Sequence, residues 1–135
     1  GKQRVFVNSG ISEYGLSEER LRQRKTAAHN TVVVDGLDSS QVWSGFRVAK
    51  RATVLNRTVN PLVENKAYFL GSHNGFKKQG LNCIHTREWK AGKSSLEIKD
   101  RIVGKYKIAM GFLHLHPSVE VISSSDEFIS LSTQD

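Results

Sequence analysis

Apolar positions along this chain recur with period two over short runs, and almost nowhere with the 3.6-residue period of a helix. Thr31-Val32-Val33-Val34 is β-branched throughout, and Asp35-Gly36 closes it with a turn dipeptide. Extending the backbone over 96–102 places Leu96, Ile98 and Ile102 on one face, with Asp100 among them. Over 107–116 the same geometry aligns Ile108, Met110, Phe112, His114 and His116. Runs of this kind cover 31–34, 42–55, 67–70, 81–89, 95–103, 107–116, 119–122 and 127–131, parted by turn signals such as Ala91-Gly92-Lys93 and Gly104-Lys105. Short runs at this spacing predict an all-β chain, an antiparallel β-sandwich of two packed sheets, rather than alternating βα units. A closed barrel is the other architecture the pattern allows. Only one segment reads as helical: Ser17 as N-cap, Glu18 and Glu19 in the first turn, then Leu21 and a basic end. It predicts one short helix near 17–24, marginal alone and leaning on the β-core.

The chain has 135 residues, the size of one domain, and shows no linker, repeat or low-complexity segment, so 1–135 is expected to form a single unit. A chain of this length can bury a core of its own. No apolar run approaches the ~20 residues of a membrane-crossing helix, and GKQRVFVNSG lacks the apolar stretch of a signal peptide. Cys83 is the only cysteine, which excludes an internal disulfide and a Cys-rich zinc module and suits a small buried hydrophobe. The net charge of +7 points to a polyanionic partner: nucleic acid, acidic polysaccharide or an anionic membrane surface.

Candidate chemistry is thin by spacing alone. Of the five histidines, only His114 and His116 form a tight pair, and on a strand they could share a metal or simply pack near the turn at Pro117. Asp100 lies among apolar neighbours and needs a hydrogen bond or ion pair to be tolerated there. His85 and Arg87 share a strand face and could form a polar cluster. Nucleophile-elbow, Walker and dinucleotide fingerprints are missing, as are zinc-finger spacing and the aromatic-basic pattern of an RNA-binding sheet. Specific nucleic-acid binding therefore ranks last.

Longer words of the sequence say more. Arg22 with Thr26-Ala27-Ala28-His29-Asn30-Thr31-Val32-Val33-Val34-Asp35-Gly36 resembles a hallmark segment of the heparinase II/III-like polysaccharide lyases. Asp38-Ser39-Ser40-Gln41-Val42-Trp43 and Gly45-Phe46-Arg47-Val48 continue the likeness. His73-Asn74-Gly75-Phe76, His85-Thr86-Arg87, Leu96-x-Ile98-x-Asp100 and His114-Leu115-His116-Pro117 follow in the family's order. The resemblance implies a C-terminal β-sandwich region of a larger enzyme whose N-terminal helical toroid would be a partner domain. It implies cleavage of uronic-acid-containing acidic polysaccharide, glycosaminoglycans among them, by β-elimination, with this portion inactive alone. A bacterial, periplasmic or secreted setting comes with it.

Such a reaction neutralises the C6 carboxylate, removes the C5 proton and protonates the departing O4. The resemblance assigns catalytic roles to Tyr14 and His29 and substrate binding to Arg22, Arg24 and Asn30. It also makes His29 a zinc ligand, with an upstream His and Asp completing the set; here Asn8 stands where many members carry the aspartate, and the upstream histidine motif is missing from the sequence. The alternative is a non-catalytic module, structural or binding acidic glycan through Lys77, Lys78, Lys105 and Lys107.

Overall fold

The computed structural model describes residues 3–63 and 66–133. Every paired strand in it is antiparallel. Strand β1 (Val32–Val34) pairs with β6 (Ala109–Gly111), while β2 (Val54–Val63), β3 (Lys66–His73), β4 (Cys83–Ala91) and β5 (Leu96–Gly104) form a four-stranded meander. Strands β7 (Val119–Ser124) and β8 (Ile129–Thr133) make a separate hairpin. The predicted helix is α1 (Glu18–Arg24), whose first turn is capped by Ser17 Oγ accepting from the Arg20 amide at 3.0 Å. A 3-10 turn over Thr26–Ala28 follows it, and one turn of helix, α2 (Gly75–Lys78), joins β3 to β4. No helix among the described residues is long and apolar enough to cross a membrane.

The layers meet through a small core. Val32 and Val34 of β1 pack on Phe76 of α2 and Cys83 of β4, with Leu37, Leu81 and Ile102 around them. The β1–β6 pair thus covers one end of the larger sheet, which is sandwich-type layering. Close approach fixes Gly75: a Cβ there would collide with the carbonyl oxygen of Ser39. The Asp35-Gly36 turn has positive φ at both residues, 50° and 72°, the hand that lets a strand double back tightly. Asp35 Oδ1 also accepts from the amides of Lys107 and Ile108, both at 2.8 Å, which ties the turn to the segment leading into β6.

The 42–55 run departs from the expectation of one long strand. Val42 and Val48 form an isolated antiparallel bridge, closing a tight loop with Trp43 and Phe46 at its tip, and the regular strand begins only at Val54. Trp43 and Phe46 are apolar but 54% and 65% exposed, so their period marks a displayed loop and not a buried strand. Strand β2 continues through Pro61, which is tolerated because β2 is an edge strand with a register shift at that point.

Candidate functional site

Three of the sequence words that carry the family resemblance converge on one network around buried His85 and Arg87. The register sets His73 opposite His85 and Arg87 opposite Asp100. Arg87 grips Asp100 with two hydrogen bonds, Nε to Oδ1 at 2.6 Å and a terminal nitrogen to Oδ2 at 2.7 Å. His85 Nε2 lies 2.7 Å from the same Oδ1, and its Nδ1 lies 3.1 Å from His73 Nε2. The Gly75 amide donates to His73 Nδ1 at 3.1 Å. Only one set of tautomers satisfies this chain. His73 Nδ1 accepts, so its Nε2 carries the proton and donates to His85 Nδ1; His85 Nε2 then donates to Asp100. Burial, and then the neighbouring His85, hold the His73 imidazole down to a pKa of about 4, so it is neutral near pH 7. Burial pushes the Asp100 carboxyl up, but the bonds from Arg87 and His85 outweigh it and leave the group below its ordinary value. Every imidazole nitrogen here is already engaged, which makes the network a scaffold and leaves no free base within it.

A terminal nitrogen of Arg87 also donates to the Asn30 carbonyl, linking the scaffold to the segment before β1. Asn30 in turn donates from Nδ2 to the Val7 carbonyl at 3.1 Å and accepts from the His114 amide at 2.6 Å. The Asn30 side chain thus stitches three chain segments together, while the residue lines a hollow beside His73, His85, Arg87 and Trp89 and not the cleft that holds His29. His114 donates from Nε2 to the Ala27 carbonyl at 2.9 Å, and His116 Nδ1 turns instead to Ser118, so the two rings of the HxH pair serve different partners.

On the other side of Asn30 opens a cleft of about 470 Å³, lined by Asn8, Gly10, Ile11, Arg20, Gln23, Arg24, His29 and Val42. His29 Nδ1 lies 2.9 Å from Asn8 Oδ1. An amide oxygen only accepts, so Nδ1 carries the proton and Nε2 keeps its lone pair. Gln23, buried on α1, receives the Ser12 amide at 2.9 Å and thereby pins the loop that carries Tyr14. Arg24 donates to the carbonyls of Ser44 and Arg47, holding the tip of the Val42–Val48 loop against α1. Gly45 permits this contact: a Cβ there would strike the Gly15 carbonyl.

Arg20 is the residue that the sequence reading missed. It is 7% exposed, its Nε is buried with no hydrogen-bond partner, and no carboxylate pairs with it among the described residues. Its guanidinium carbon instead sits 5.8 Å from the ring centres of both Tyr14 and Phe46. Helical spacing carried the signal. Positions 20 and 24 share a face of α1, whereas 22 points away.

The predicted site residues divide accordingly. His29 and Arg24 line the cleft, and Tyr14, 82% exposed, stands at its edge over Arg20. Arg22 lies outside it, paired with Glu19 at 2.7 Å, which pulls the Glu19 carboxyl down to about 2. The position expected to hold a ligand aspartate does adjoin His29, but as an amide. No group of three or more His, Cys, Asp or Glu side chains gathers to hold a metal among the described residues. One imidazole and one amide fall short of a zinc set, and two guanidinium groups on the same cleft repel a cation, so these residues do not fit the ion.

Against known proteins, the family model described as heparinase II/III-like, C-terminal, matches residues 1–135. No curated protein and no solved structure matches the chain.

Proposed function

Because the chain belongs to the heparinase II/III-like family as its C-terminal region, we propose that it is the β-portion of a polysaccharide lyase acting by β-elimination on uronic-acid-containing polysaccharide. The observation that carries this reading is the cleft around His29. Its lining contains two guanidinium groups and an imidazole but no carboxylate. A cationic cleft of that kind suits a sugar acid, whose C6 charge must be neutralised before the C5 proton becomes acidic enough to leave. His29 supplies a lone pair at Nε2 because Asn8 holds the proton on Nδ1, the arrangement a general base requires. Tyr14, exposed at the rim, is placed to donate or accept a proton at a sugar oxygen.

In this reading the chain is one half of a machine. The remaining catalytic groups come from an N-terminal helical toroid, and the 135 residues alone do not turn over substrate. The broad apolar surface supports that division: Val121, Ile122, Phe128 and Ile129 of the β7–β8 hairpin are all more than half exposed. The test is an assay of a longer protein carrying this chain on alginate, heparan and chondroitin, following the ultraviolet absorbance of the unsaturated uronate product. Activity on at least one glycan, lowered at least about a hundredfold by His29→Ala or Tyr14→Phe, supports the proposal. Full activity in both variants, or hydrolysis without an unsaturated product, contradicts it.

A further inference from the structure

We propose that Arg20 is the carboxylate-binding residue of the cleft, a role that rests on the reading of the protein as acting on acidic sugars. Three cations stand on α1 near the cleft, and two are already committed. Arg22 is neutralised by Glu19 on the solvent side, and Arg24 is spent on the carbonyls of Ser44 and Arg47. Among the described residues, Arg20 alone of the three is held inside without a counter-charge, its Nε making no hydrogen bond. A buried donor left unmade is costly to the fold, and a buried charge without a partner more so. Such a group persists where a ligand completes it.

The surroundings define that ligand. A guanidinium offers two parallel N–H bonds, which match the two oxygens of a planar carboxylate. The rings of Tyr14 and Phe46 flank the group, and no carboxylate pairs with it among the described residues. Both rings are exposed, at 82% and 65%, so they can move aside to admit a carboxylate to the Nε edge and then close on the sugar. The frame itself is fixed: Gln23 pins the Tyr14 loop, and Arg24 with Gly45 pins the Phe46 loop. Arg20 thus recognises the sugar acid, while Arg24 positions the wall beside it.

Arg20 Nε–H can be followed directly by nitrogen-proton NMR of the labelled chain. Three probes are titrated: an unsulfated hexuronate oligosaccharide, the same oligosaccharide with its carboxyl groups reduced to alcohols, and inorganic sulfate. The uronate is expected to move the Arg20 signal saturably, with the reduced sugar and sulfate leaving it in place. Arg20→Gln is expected to weaken uronate binding about tenfold or more, while Arg22→Gln leaves it unchanged. Arg20→Lys keeps the charge without the fork and is expected to fall between them, which carries the test if the glutamine variant fails to fold. An unmoved Arg20 signal, an equal response to sulfate or reduced sugar, or wild-type affinity in the Arg20 variants overturns the assignment. The lyase assay fails independently: a longer protein without β-elimination whose Arg20 still selects uronate contradicts the proposed function and leaves this inference standing.

Discussion

His29 and Asn30 are neighbours in sequence with opposite duties. His29 faces the cleft, whereas Asn30 has its amide oxygen and nitrogen bound to backbone and its own carbonyl held by Arg87. Sequence could mark both as unusual at the mouth of an apolar strand but could not separate them, because the distinction depends on partners 23 and 84 residues distant. Asp100 was legible as a group needing a partner, and the strand register supplied Arg87 and His85. Removing its charge leaves the buried Arg87 uncompensated, so Asp100→Asn is expected to lower unfolding free energy by about 3 kcal/mol, read from denaturant titration. Lys90→Ala, breaking the exposed 3.9 Å contact with Glu97, should change it by less than about 1 kcal/mol. The pH dependence follows from His73. Its folded pKa lies near 4 against an ordinary 6.5, so the unfolded chain takes up the proton first. The stability this group contributes is full above pH 6.5 and declines as pH falls through 4, which thermal melts across that interval should show. Substituting His73 with Gln should flatten the decline.

At the scale of elements, the strands that sequence marked well are those with one face against the core. β1 is buried at all three valines, and β4 buries alternate residues, Cys83, His85 and Arg87, so its inward face carries the polar network beside a small apolar layer of Val34, Cys83 and Ile102. The loop after Val42 misled the reading because its aromatic residues are displayed near cations, as Trp43 is 4.9 Å from the Arg47 guanidinium, and not buried. α1 was legible from Ser17 and its acidic first turn, yet its importance lies in the face it presents. Ser17→Ala should cost about 1 kcal/mol of stability and loosen Arg20 and Arg24 together, visible as NMR line broadening confined to the cleft. Gly45→Ala forces the loop off the Gly15 carbonyl; melting should show a loss of about 1–3 kcal/mol, and Phe46 should lose its contact with Arg20.

Across the whole molecule, the apolar period pointed to the fold class and the net charge to a polyanionic partner only as an expectation, while the site required the three-dimensional arrangement. The chain carries a net charge of +7, and the cleft holds a guanidinium that has no hydrogen-bond partner at Nε among the described residues. The cleft on α1 is where an acidic polysaccharide is proposed to be held, a reading that rests on family membership and on the cationic lining of that cleft. The most direct measurement is a backbone NMR map of the labelled chain titrated with an acidic oligosaccharide. Perturbations centred on Tyr14, Arg20, Arg24 and His29 are the predicted result; perturbations centred on Lys77, Lys78, Lys105 and Lys107, with the cleft unmoved, would contradict it.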